Sequence, residues 1–154
     1  MTELMSPDFR ELLLVFNDEG VEYLIVGAHA LAAYGHVRAT KDLDVWVRPD
    51  PANAKRVITA LNSFGAPLTD LSREDLSTAG TVFQIGIPPL RIDLLTSIDG
   101  VDFDAAWPNR LETRFGEVIA FVISRQDLIT NKKTAARLQD LADVELLERE
   151  QRDI

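Results

Sequence analysis

Two aspartates, Asp42 and Asp44, open a run that is otherwise apolar through Val45, Trp46 and Val47 and stops at Arg48-Pro49-Asp50-Pro51. The run reads as a strand from Leu43 to Val47. Alternate residues of a strand share a face, so Asp42, Asp44 and Trp46 project one way and Leu43, Val45 and Val47 the other. The two carboxylates then lie about 7 Å apart at their Cα atoms. Like charges this close are costly without a cation. A D-x-D tripeptide by itself also suits a solvated strand face. Here, however, it follows Thr40-Lys41, and upstream of it lies an apolar strand, Tyr23-Leu24-Ile25-Val26, that ends in Gly27. A helix from Ala28 to Tyr34 follows, stopped by Gly35. Glycine at a strand-to-helix turn permits close backbone approach, and the free N–H groups of the helix start attract phosphate.

Around this unit the pattern alternates helix and strand. Ser6 caps and Pro7 starts a helix running to about Glu19, with Phe9, Leu12, Leu13 and Phe16 on its apolar face. Ala52–Phe64 is helical, with Val57, Ile58 and Leu61 inward, and a short helix spans Arg73–Leu76. Val82–Ile87 and Leu90–Leu95 are strands joined through Pro88-Pro89. Phe103–Trp107 is a helical turn. Leu111–Phe115 and Val118–Ile123 pair around Gly116-Glu117. Ser124 starts a helical stretch to Arg149 with a break near Arg137. The order predicts an α/β or α+β fold, a mixed sheet flanked by helices with helices at the C-terminal end. The 154 residues show no repeat or linker, so one domain spanning 1–154 is expected.

Composition narrows the chemistry. There is no cysteine, which excludes disulfides, thiolate metal sites and cysteine nucleophiles. The apolar runs are too short to span a membrane, and no signal-peptide core precedes Pro7. The chain is expected to be soluble and cytoplasmic, with no membrane partner. The net charge of −9, from 25 acidic and 16 basic residues, opposes a broad nucleic-acid surface. It leaves room for a metal-bridged phosphate.

Further side chains join the aspartate pair. Asp93 sits with Arg91 on one face of a strand, opposite Ile92 and Leu94. It is either a third carboxylate that completes a metal site and acts as general base, or half of an ion pair with Arg91 on an exposed face. Lys132 falls near the middle of the stripe formed by Leu128, Ile129, Ala135 and Ala136, so it needs a partner or a route to water. It either reaches the β- or γ-phosphate or snorkels along the helix. Arg137, Asp140 and Asp143 follow, as ion pairs or as cleft lining. Arg38 and Thr40 either touch phosphate or fix the loop before Asp42. His29 and His36 read as structural residues, with His29 the better candidate for a substrate contact.

These residues resemble the nucleotidyltransferase superfamily that includes DNA polymerase β-like enzymes. That pattern is a glycine motif opening a helix, a D-x-D or D-x-E strand, and a further aspartate on a later strand. The stretch from Tyr23 through Gly27-Ala28-His29 to Asp42-Leu43-Asp44-Val45 looks closest to small bacterial nucleotidyltransferase toxins of the AbiEii/AbiGii and MenT types. So do Arg91-Ile92-Asp93-Leu94-Leu95-Thr96 and Leu128 to Arg137. The resemblance covers about residues 20 to 147.

It implies a cleft holding a nucleoside triphosphate and Mg²⁺ or Mn²⁺, with Gly27 in the first motif, Asp42, Asp44 and Asp93 as metal ligands and catalytic carboxylates, and Lys132 and Asp140 in a later motif. Gly27, Ala28, His29, Arg38, Thr40, Lys132 and Asp140 are then the candidate nucleotide contacts. The superfamily usually has Gly-Ser or Gly-Gly where this chain has Gly27-Ala28, so the phosphate grip there must use backbone N–H groups. The implied reaction moves a nucleoside monophosphate from the triphosphate to a hydroxyl of RNA, a protein or a small molecule, as the toxin of a toxin–antitoxin pair. With no separate substrate domain, the acceptor is read by a minimal surface or by a partner such as an antitoxin. The alternative is a weakly active or inactive module that binds nucleotide or a partner protein.

Overall fold

A computed structural model describes residues 6–37, 40–68, 71–86 and 91–152. Among these residues six strands form one mixed sheet in the order β3-β4-β2-β1-β6-β5. They are β1 (Tyr23–Val26), β2 (Asp42–Val47), β3 (Val82–Ile85), β4 (Arg91–Leu95), β5 (Leu111–Phe115) and β6 (Val118–Val122). The helices are α1 (Pro7–Asp18), α2 (Gly27–Ala33), α3 (Pro51–Phe64), α4 (Arg73–Ser77), α5 (Phe103–Ala106), α6 (Arg125–Ala135) and α7 (Leu138–Arg152), with a 3-10 turn at Trp107–Asn109. The expected mixed α/β class is what forms. The β3–β4 connection through Pro88 and Pro89 lies outside the described residues. Among the described residues no helix is long and apolar enough to cross a membrane.

Local signals set most boundaries. Ser6 accepts a hydrogen bond from the Phe9 backbone N–H at 3.2 Å, and Pro7 occupies the first helical turn, where its missing N–H costs nothing. Phe9, Leu12, Leu13 and Phe16 are all buried. Asp50 and Ser124 cap α3 and α6 in the same way. Between α6 and α7 the chain turns at Ala136, which adopts a left-handed conformation (φ 56°).

The centre of the sheet is buried on both sides, since all four residues of β1 are inaccessible. Helix α1 packs on α3 and on β6, while α2 packs on β1 and β2. Tyr34, at the end of α2, donates to the Ile123 carbonyl at 2.7 Å and lies under the Arg125 guanidinium. This joins α2 to the start of α6.

β2 lies antiparallel to β1 and parallel to β4. Leu43 faces Ile92 and Val45 faces Leu94, all four buried. Slipping this register by one residue would turn the apolar set outward, so burial fixes it. The polar residues between them are thereby fixed too: Asp42 lies opposite Arg91 and Asp44 opposite Asp93. On the β1 side, Val26 lies opposite Asp44.

Asn53 holds the far end of this central pair. Fully buried at the start of α3, it accepts from the Glu22 N–H at 2.8 Å and donates to the Glu22 and Arg48 carbonyls, both at 3.0 Å. One amide thus satisfies the backbone entering β1 and leaving β2. Asn53→Ala is expected to destabilise the fold by about 2–3 kcal/mol, because buried backbone groups lose their partners. Urea unfolding should show a lower midpoint at an unchanged slope.

Candidate active site

The site begins where β1 ends. Gly27 has φ 71°, a conformation glycine adopts without strain. A Cβ built there would overlap Asp44 Oδ2 and lie 3.2 Å from Asp44 Cγ. The close approach that calls for glycine is therefore to the protein's own carboxylate. Ala28 and His29 follow in the first turn of α2, whose start has no side-chain cap.

His29 turns away from this corner into the core. It is buried and meets Phe9 and Phe115 edge-on, with ring centroids 5.5 and 6.3 Å away. Burial lowers its pKa, offset in part by a contact with the Asp42 backbone, so at neutral pH the ring is uncharged. Thr40 Oγ1 bonds to both backbone groups of Asp42 at 3.2 Å, which anchors the start of β2. Arg38 lies outside the described residues.

Asp44 sits between Gly27 and Asp93. Its pKa is pushed up to about 6, first by burial, then by the charges of Asp93 and Asp42 and a hydrogen bond shared with Asp93, with Lys132 opposing. Asp93 Oδ1 is buried without a hydrogen-bond partner. Asp42 is more open, and its Oδ1 lies 3.5 Å from Arg91 Nε. Arg91 thus turns to Asp42 across the strand pair. Among the described residues no three acidic or histidine side chains already converge as a metal cage. Even so, an orphaned buried oxygen beside a carboxylate that resists ionisation is what a cation would relieve. The all-oxygen donor set suits a hard divalent ion.

Beyond Asp44 opens a cleft of about 400 Å³ whose lining includes Gly27, Asp44, Asp99, Lys132, Arg137 and Asp140. Lys132 is buried, with its ammonium 2.9 Å from Asp143 Oδ2 and 3.5 Å from Asp140 Oδ1. Its partners come from α7. The apolar stripe showed that Lys132 needs partners, and the structure supplies them as carboxylates. Buried Asp140 also accepts from the Arg137 backbone N–H at 3.2 Å, from Nε at 2.7 Å and from Nη2 at 3.2 Å. Burial would raise its pKa, but the Arg137 hydrogen bonds and the neighbouring positive charges outweigh this and hold it below the usual carboxylate range. Asp143 accepts from Gln139 at 3.0 Å as well.

Asp99 and Asn131 also line the cleft, and sequence reasoning missed both. The Asn131 amide donates to the Asp99 carbonyl at 3.0 Å, and a Cβ at Gly100 would overlap Thr134. The loop after β4 is thus seated on α6 by contacts that leave no local sequence pattern. A larger groove, about 840 Å³, runs past Arg10, Leu14 and Glu117; none of the candidate site residues lines it.

The model of a family described as "Nucleotidyltransferase of unknown function (DUF6036)" matches residues 4–148. No curated protein matches the sequence. Among solved structures, a nucleotidyltransferase candidate from Thermotoga maritima superposes with a TM-score of 0.58 at 13% identity, over 94% of this chain and 91% of that one. That likeness is one of fold. The superfamily resemblance read from the sequence therefore holds, while the narrower likeness to AbiEii/AbiGii- and MenT-type toxins has no counterpart in these matches.

Two outcomes follow from the charges. Because the folded-state pKa of Asp44 is raised, its carboxyl favours folding when protonated and disfavours it when ionised. Without divalent cations, stability should fall as pH rises through about 6, by about 2 kcal/mol after discounting partial exposure. Asp44→Asn should abolish that slope in thermal melts, and Mg²⁺ should flatten it in the wild type. Lys132→Met leaves Asp140 and Asp143 buried without their ammonium, which is expected to cost about 3–5 kcal/mol by chemical denaturation.

Proposed function

The chain belongs to the nucleotidyltransferase family whose model spans residues 4–148, and on that premise we propose that it moves a nucleoside monophosphate from a nucleoside triphosphate to a hydroxyl acceptor. The observation that carries this reading is the pairing of Asp44 with Asp93 across β2 and β4, against the bare backbone of Gly27. Asp44 and Asp93, with Asp42 at the outer edge, would hold Mg²⁺ or Mn²⁺. When bound, the cation supplies positive charge against the triphosphate and the departing pyrophosphate.

The chain's own groups do the rest. Gly27 makes room for the Asp44 carboxylate at the turn, and the first-turn backbone N–H groups of Gly27 and Ala28 would be the donors to phosphate there. Asp93 would take the proton of the acceptor hydroxyl as the hydroxyl oxygen bonds to the α-phosphorus and pyrophosphate leaves. Lys132 and Asp140 form the cleft wall on the phosphate side. A macromolecular acceptor, RNA or protein, and a toxin role with an antitoxin partner extend the same proposal. A net charge of −9 favours an acceptor recognised locally rather than over a broad nucleic-acid surface.

A second reading is a module that binds nucleotide or a partner protein and transfers nothing. Ala28 motivates it, since an alanine offers no hydroxyl to a phosphate. Incubating bacterial lysate fractions with the protein, Mg²⁺ and nucleotides radiolabelled at the α-phosphate separates the two. Metal-dependent labelling that Asp44→Ala abolishes, with its fold intact by circular dichroism, is the expected result. Nucleotide binding with no labelled product in any fraction would leave only the second reading. Induced expression extends the test: growth arrest by the wild type but not by Asp44→Ala supports the toxin role, and equal growth removes it.

A further inference from the structure

Two cations line the cleft, and their situations are opposite. The Lys132 side chain is 8% exposed and gripped by two buried carboxylates. The Arg137 side chain is 79% exposed, yet it is not a loose surface arginine. Asp140, itself only 3% exposed at its side chain, takes Nε at 2.7 Å and Nη2 at 3.2 Å, a two-point grip that fixes the guanidinium plane. The same carboxylate accepts the Arg137 backbone N–H, so both ends of the residue are held. Among the described residues nothing engages Nη1. The group is close enough to Asp44 and Asp99 to feel their charges.

An exposed arginine normally loses little by staying mobile, and an isolated surface ion pair contributes little stability. Arg137 is instead aimed by a buried acid that Lys132 keeps in place. The turn that sets it there is the left-handed Ala136.

We infer that Arg137 contacts the terminal phosphates of the bound nucleoside triphosphate through its free Nη1 edge, with Asp140 as its positioning residue and Lys132 as the buried counter-charge that holds Asp140. The inference rests on the transfer reading above and adds to it the group that grips the leaving pyrophosphate. It also accounts for how a chain with Ala28 in place of a hydroxyl residue keeps hold of a triphosphate. A guanidinium offers paired donors to phosphate oxygens, where the backbone at Gly27 offers single N–H groups.

Calorimetric titration of the full chain in Mg²⁺ with each of the four nucleoside triphosphates, as non-hydrolysable analogues, and with the matching monophosphates tests this. Wild type is expected to prefer a triphosphate over its monophosphate. In Arg137→Gln the triphosphate should bind about ten- to hundredfold more weakly, the loss of a charge-assisted contact, while monophosphate affinity stays unchanged. Arg137→Lys, which keeps the charge without the fork, should fall between. Equal weakening of both ligands would mean a merely structural role and overturn the assignment. So would a Gln variant that keeps the triphosphate preference, and in that case the transfer reading survives. Failure of the folded wild type to bind any nucleotide would remove both.

Discussion

The site hangs on one close approach, that of the Asp44 carboxylate to the backbone of Gly27. Antiparallel pairing of β1 with β2 sets Val26 opposite Asp44, so the residue after Val26 must pass over that carboxylate. Only a residue without a side chain fits. On the other side, parallel pairing sets Asp93 against the same group. Both pairings are held by apolar residues of the central strands, not by the aspartates, which repel one another. The core therefore forces together charges that would separate if free to do so. This is a local conflict of the kind folds keep where a ligand resolves it.

The surrounding charges are segregated. Lys132 and Arg137 face Asp140 and Asp143, a set that balances to neutrality within the α6–α7 corner. The unbalanced carboxylates are Asp44 and Asp93, while Asp42 has Arg91 beside it. Taking a buried ion pair out of water costs about as much as the attraction returns. The corner is thus better understood as a device for fixing positions than as a source of stability.

Much of the fold was legible because its signals are local. Ser6-Pro7 with Phe9, Leu12, Leu13 and Phe16 defined α1, and Tyr23–Val26 defined β1. The break near Arg137 emerged at Ala136. The candidate site was legible as a set of residues but not as an arrangement. That Asp44 and Asp93 are neighbours depends on strand order, which no local pattern encodes. Lys132 announced that it needed partners, yet their choice depends on a left-handed turn made by alanine, which lacks the glycine signature of such turns. His29 sits next to Gly27 in sequence, but its surroundings are Phe9 and Phe115, distant aromatics that pull it into the core.

The two halves of the cleft come from opposite ends of this sequence, Gly27 and Asp44 early, Lys132, Arg137 and Asp140 late. A chain emerging from the ribosome lays down its N-terminal elements first. The crowded aspartates can therefore meet as soon as β4 joins β2, while the balanced α6–α7 corner must wait for α7 to appear. Until α7 is made, Lys132 and Arg137 lack Asp140 and Asp143, the acids that hold them. The arrangement of this wall of the cleft thus depends on an element far along the chain from Gly27 and Asp44.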